Sequence, residues 1–305
     1  MDNGKHAYLI LAHTHPGQLC TLLSLLDDPR NDIYVHIDRK APFSEKALKG
    51  CCVHSTVHFI APRISIHWGG PNMMRAELAL LKAATATPHA YYHLLSGLDL
   101  PIRTQDEIHA FFDAHAGQEF LQFWPSDPAE TRRATSYHLF PESNGFFLAK
   151  AVNRLVKGVM KLLEIGINRD VDLRLSSSWF SITHDCARFV LSREDWIVRA
   201  FGHTLMPDEV FIGTVVWDSP FREQLFDGSV HLERQEDRRT TLAGNLRLID
   251  WTHESCIRHP WTFREADWDL LMASPCLWAR KFDEKVDAAV IARLEKHLRE
   301  RAGIR

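Results

Sequence analysis

The chain has 305 residues, Lys+Arg 36 against Asp+Glu 39, a formal net charge of −3, and 45% hydrophobic residues. That length and apolar content support a sizeable core and exclude a disordered chain, and the near-neutral balance excludes a global field for gripping nucleic acid. Any anion it binds has to be held by local cations.

Cys20, Cys51, Cys52, Cys186, Cys256 and Cys276 show no C-x-x-C spacing, and nothing before "AYLILAHTHPG" resembles a signal peptide. Both features predict reduced thiols in a cytoplasmic protein rather than a disulfide framework. No uninterrupted apolar run approaches the ~20 residues of a membrane span.

"AYLILAHTH" and "DIYVHIDRK" are short β-rich runs separated by the helix-like "GQLCTLLSLLDD", which makes a β-α-β opening. "STVHFIA" and "SIHWGG" extend the strands, "PNMMRAELALLKAA" is a helix, and "YYHLLSGLDLPI" is a strand running into a loop. "TQDEIHAFFDAH" then reads as helix and "QEFLQFW" as strand. This alternation predicts an α/β fold with a mostly parallel central sheet, whose ligands sit beyond the carboxyl ends of the strands.

From about Pro125 to Arg174 the alternation lapses. Within that stretch "KAVNRLVKGVMKLLEIG" sets Lys150, Arg154, Lys157 and Lys161 on one helical face, opposite Val152, Leu155, Val156, Val159 and Leu162. The plain reading is a solvated face over a core-facing stripe; the sharper one is peripheral contact with anionic lipid. "SSSWFSIT" (strand), "HDCARFVLS" (helix), "MPDEVFIGTVVWDSP" (helix), "NLRLIDW" (strand), a turn in "SPCLWARKFDEK" and the closing helix "DAAVIARLEKHLRERA" follow. With no repeat or linker, 1–305 reads as a single domain, with 7–124 and 125–287 as its halves and 288–305 as a terminal helix.

Several residues could carry chemistry. Pro207 suits a first helical position, so Asp208 and Glu209 fall in an opening turn, where they either stabilise the helix start or offer a general base. Asp38 and Asp99, at strand ends, either bond their own turns or face a ligand. Arg280 and Lys281, between Trp278 and Phe282, either lie over those rings or neutralise an anion, and Arg258 could join them. The formal metal patterns are Asp170-Val171-Asp172, Asp267-Trp268-Asp269 and the trio His253, Cys256 and His259. The carboxylate pairs lack a strand-end setting and the trio lacks an evident fourth ligand, so no metal site is expected. "WGG" before "PNMMRAELALL" could bring backbone N–H groups to an anion at a helix start.

Taken in order, "YVHIDRK", "SIHWGG", "LLSGLDLPIRTQDEI", "SSSWFSIT", "PDEVFIGTVV" and "NLRLIDW" followed by "WARKFD" resemble the core-2/I-branching β-1,6-N-acetylglucosaminyltransferases and the related peptide O-xylosyltransferases. The resemblance spans residues 7 to 287, and the wording is more similar to the xylosyltransferase branch. It implies a GT-A type fold and inverting transfer of xylose or N-acetylglucosamine from a UDP-sugar to a hydroxyl acceptor, with no cofactor and no metal. The acceptor would be a saccharide, a lipid-linked glycan or a peptide. By the same matching Glu209 would be the base, and Asp38, Trp68, Asp99, Arg258, Arg280 and Lys281 would hold the UDP-sugar. Trp179 and Asp208 would face the acceptor. Where the xylosyltransferase branch has an Asp-Trp pair, this chain has Ser178-Trp179. The competing reading is a non-catalytic nucleotide-sugar or glycan binder on the same scaffold.

Overall fold

A computed structural model describes residues 4–125, 128–143, 146–163, 166–226, 243–253, 256 and 259–303. β1 (His6–Ala12), α1 (Pro16–Leu25) and β2 (Asn31–Ile37) form the expected opening unit, and β3 (Thr56–Phe59), α2 (Asn72–Ala84) and β4 (Tyr91–Ser96) continue it. β5 (Asp99–Pro101) follows after a short turn and leads to α3 (Gln105–Ala114), whose start is fixed by a capping box of Thr104 and Glu107. α4 (Pro128–Thr135) and α5 (Phe147–Leu162) occupy the stretch without strand signals. β6 (Ser181–Thr183), α6 (His184–Ser192), α7 (Glu194–Phe201), α8 (Phe211–Trp217), β7 (Arg247–Ile249), α9 (Trp268–Ala273), β8 (Trp278–Arg280) and α10 (Ala288–Arg301) complete the order.

The main sheet runs β3-β2-β1-β4-β6, parallel except for β6, which pairs antiparallel with β4. A smaller sheet runs β5-β8-β7. Every residue of β1, β2 and β4 is buried, as strands covered by helices on both faces must be. One apolar cluster joins β1, α1, α3 and α10 to the small sheet; the other lies under α2, α6 and α8. This is the mixed α/β architecture with a mostly parallel central sheet that the alternation predicts. Among the described residues no helix is long and apolar enough to cross a membrane.

Four local expectations change. "SIHWGG" forms no strand, and "QEFLQFW" contributes only isolated bridges, at Glu119, Phe120 and Phe123. The segment read as a turn around Arg280 is instead strand β8, because it pairs on both sides with β5 and β7. Cys20 and Cys51 are joined in a disulfide, against the expectation of reduced thiols. α1 and the turn ending at Leu48 bring them together across 31 positions of sequence, a proximity that no local spacing signals. Cys52, Cys186, Cys256 and Cys276 form no disulfide.

The fourth concerns α5. Asn153 is buried and bonds both the N–H and the carbonyl of Phe140, at 3.0 and 3.1 Å, so that edge is pinned to the body. The stripe expected to face the core does not: Leu155 is 69% exposed and Leu162 81%, with Val152 and Val159 also open to solvent. The anchored edge lies about a third of a turn or more from the centre of the apolar stripe.

Candidate active site

The polar residues gather where strands end. β2 runs out into Asp38, whose N–H donates to the Ala12 carbonyl at 2.7 Å. Its buried carboxylate accepts from the N–H groups of Lys40 at 2.7 Å and Ile66 at 3.2 Å. Asp38 thereby ties the end of β2 to the loop bearing Trp68. β1 runs out into His13, a residue the sequence reading passed over. Partial desolvation lowers its proton affinity, Asp38 opposes the shift, and Arg280 and Lys281 deepen it, so all three charges reach this ring.

Trp68 is 70% exposed on that loop. Gly69 after it has φ +76, a left-handed conformation glycine adopts without strain, and its carbonyl accepts from Met206 N–H at 2.8 Å. The start of α2 does hold an anion, but one supplied by the chain. Glu142 accepts from Asn72 N–H at 2.5 Å and His67 N–H at 3.2 Å, and a Cβ at Gly70 would collide with its carboxylate.

Met206 leads into the turn carrying the two candidate carboxylates. Pro207–Glu209 is a single 3-10 turn, and α8 begins only at Phe211 after a break at Val210. The expectation that Asp208 and Glu209 open one continuous helix is therefore corrected, and tertiary contacts hold them instead of a helix dipole. The Glu209 carbonyl accepts from Ser176 N–H at 2.9 Å, and its carboxylate oxygen Oε2 accepts from Arg133 Nη2 at 2.6 Å. Arg133, on α4, also reaches Met206 Sδ at 2.8 Å.

Asp208 is buried and accepts from Ser178 Oγ at 2.9 Å. Burial first, and then the charge of Glu209, pushes its carboxyl up to about 6, while Ser178 and Arg133 pull it back. Nearby, on α2, lies Glu77, buried and, among the described residues, with neither carboxyl oxygen hydrogen-bonded. Burial and the Asp208 charge drive it well above the ordinary carboxyl range. A lone acid inside "RAELALL" was the available signal for Glu77; Arg133, in "ETRRAT", offered none.

The cations stand at the end of β8. β5 and β8 pair Asp99 with Arg280, and Arg280 Nη1 donates to Asp99 Oδ1 at 2.6 Å. Asp99 is fully buried and also accepts from Ser96 N–H at 2.9 Å. Burial raises its carboxyl, and Arg280 works against that. The same guanidinium lies 4.3 Å from the ring centre of Trp179, which is neither of the two rings that flank it in the sequence. Lys281 is half-buried, and among the described residues its ammonium enters no ion pair.

These contacts close a ring. Trp179, under Arg280, follows Ser178, which holds Asp208 beside Glu209; Met206 of the same turn bonds Gly69 next to Trp68, and Ile66 bonds Asp38. His13 links Asp38 electrostatically to Lys281. The carboxylate turn and the strand end carrying Arg280 are thus joined through Trp179 and Ser178. Carboxylates and cations connected in this way suit a polar substrate carrying a negatively charged leaving group. Arg258 lies outside the described residues.

One member of each formal metal pattern is otherwise engaged. Asp267 accepts from Trp261 Nε1 and Arg264 N–H, both at 2.8 Å, Asp172 pairs with Arg174, and His253 stacks 3.9 Å from Trp261. Among the described residues, no group of His, Cys, Asp and Glu converges as a metal-ligand cluster.

A profile of the family described as Core-2/I-Branching enzyme matches residues 6–272. Rat xylosyltransferase 2 is 25% identical over 303 residues, covering 96% of this chain and 33% of that protein. Human xylosyltransferase 1 is 23% identical over 304 residues, covering 96% of this chain and 30% of that protein. The chain therefore spans about a third of the length of these relatives. Among solved structures, mouse xyloside xylosyltransferase 1 in its apo form aligns over 90% of this chain and 96% of its own, with TM-score 0.38 and 9% identity.

Proposed function

The chain belongs to the Core-2/I-Branching enzyme family, and on that footing we propose that it is an inverting glycosyltransferase that moves a sugar from a UDP-sugar to a hydroxyl acceptor. The carrying observation is the run of contacts in which Trp179, under Arg280, adjoins Ser178, which holds Asp208 beside the Arg133-held Glu209. In the proposed step the acceptor oxygen attacks the anomeric carbon as the bond from that carbon to the phosphate oxygen breaks. Glu209 takes the hydroxyl proton, and the bond pair leaves with UDP, whose developing charge meets Lys281. Arg280, already paired with Asp99, contributes field and orientation.

We assign the cationic role to side chains, so transfer should proceed in EDTA. The donor sugar is xylose or N-acetylglucosamine on this reading, and Ser178 in place of an acidic residue alters the acceptor wall next to Trp179. The exposed stripe of α5, with Lys150, Arg154 and Lys157 on its other face and no acidic residue in Phe147–Leu162, favours peripheral contact with an anionic membrane.

The deciding experiment is transfer from UDP-xylose and UDP-N-acetylglucosamine by the native protein and by Glu209→Gln, with UDP binding measured alongside. Loss of turnover with UDP binding intact supports the reading. Undiminished turnover in the variant removes Glu209 as the base, and failure of the native protein to bind any UDP-sugar leaves no donor site.

A further inference from the structure

Between α4 and α5 lies a cavity of about 660 Å³ on which Arg132, Lys157 and Arg169 converge from separate segments, with the hydroxyl residues Thr135, Ser136 and Tyr137 between them. Among the described residues no acidic one lines it, and none of the three cations enters an ion pair. The walls are fixed from several sides. Asn168 Nδ2 donates to the carbonyls of Ala134 at 2.9 Å and Ala200 at 2.8 Å, which pins the turn before Arg169 onto α4. The Tyr137 ring stacks 4.6 Å from His203. Asn153 anchors α5 through Phe140.

Like charges held together in a preformed concavity repel one another until a counter-anion arrives. The space is larger than a simple oxyanion requires and matches a sugar-sized ligand. Hydroxyl side chains among cations suit a ligand carrying both hydroxyls and negative charge. Lys157 also bears on buried His138, whose Nδ1 has no hydrogen-bond partner among the described residues and whose proton affinity is lowered by burial first and Lys157 second.

We propose that this cavity binds an anionic saccharide, its oxyanion held by Arg132, Lys157 and Arg169 and its hydroxyls by Thr135, Ser136 and Tyr137. Arg133, the next residue of α4, holds Glu209, so the helix that would bind this ligand also carries the partner of the proposed base. Calling the cavity an acceptor subsite rests on the transfer reading; the binding itself does not.

The test is calorimetric titration of the full chain with glucose 6-phosphate, glucuronate, glucose and inorganic phosphate, repeated on Arg132→Gln/Arg169→Gln and on Lys157→Gln. Unchanged melting temperatures establish that the variants fold. One charged sugar should bind about tenfold or more tighter than glucose and than inorganic phosphate, weaken with salt, and lose about tenfold or more in each variant. Whether the phosphate ester or the carboxylate binds better identifies the anion. Equal affinity for glucose, an equally tight bare phosphate, no measurable binding of either charged sugar, or affinity retained in the variants would each overturn the proposal. No donor is present, so this outcome is independent of whether Glu209 catalyses transfer.

Discussion

Arg133 Nη2 meets Glu209 Oε2 at 2.6 Å, and this contact joins α4 to the short turn bearing the proposed base. The guanidinium fixes where that carboxylate points, so Arg133→Met should lower kcat by about 10–100-fold through misplacement of the base. The donor KM should stay near the native value, and Arg133→Lys should recover part of the loss. An equal fall in donor affinity would mean that Arg133 serves donor binding instead.

Arg280 and Lys281 are neighbours with different obligations. Arg280→Gln leaves the fully buried Asp99 without its counter-ion, which should cost about 3–5 kcal/mol and lower the melting temperature. Adding Asp99→Asn should restore much of it. Lys281→Ala should leave stability within about 0.5 kcal/mol yet weaken UDP far more than uridine. Parallel losses of UDP and uridine affinity would take the diphosphate away from Lys281.

Ser178 donates to the buried Asp208, a hydrogen bond that an ionised aspartate at 178 is unable to make. Ser178→Asp should therefore destabilise the fold at pH 8 by more than Ser178→Ala, whose cost should be about 1–3 kcal/mol. The difference should shrink near pH 5, where Asp208, pushed up to about 6, is protonated. Thermal melts at both pH values read this directly, and a pH-independent difference would contradict it.

Buried histidines set an acid limit. His109, bonded to Asn31 and stacked 4.0 Å from His6, is brought down to about 4, chiefly by burial and next by Arg30. The unfolded chain then binds the proton more readily, so its contribution is present above pH ~6.5 and lost as pH falls toward ~4, by up to about 3 kcal/mol. Buried His6 and His93 are lowered too and add to the same slope. His109→Gln should flatten the melting temperature over that window; a profile as steep as the native one would place the acid limit elsewhere.

The exposed stripe of α5 gives a membrane test. The protein should co-sediment with vesicles rich in phosphatidylserine and much less with phosphatidylcholine vesicles. Leu155→Glu/Val159→Glu should abolish the difference while leaving the melting temperature unchanged. Equal sedimentation with both lipids would remove the charge component.

Much of the main sheet was legible because its strands are buried on both faces and read as continuous apolar runs, as in "AYLILA" and "IYVHI". Helices with a plain stripe and cap, such as α3 and α10, were equally open to reading. Short elements were not. β8 exists because β5 and β7 flank it, and Trp278, Ala279 and Arg280 carry no intrinsic sign of that.

At the site, the ordered motifs by themselves determined which residue types were available: carboxylates after Pro207, cations before Phe282, an aspartate at the end of β2. Tertiary structure alone decided their partners. That Arg133 would meet Glu209, Ser178 would meet Asp208 and Arg280 would be committed to Asp99 depends on separations of 76, 30 and 181 residues. The same holds for Cys20 with Cys51, and for the face of α5 left in solvent. Periodicity and composition record the energetics of a segment against water, whereas a side chain's partner is set by whichever distant segment the packed sheets and helices bring against it.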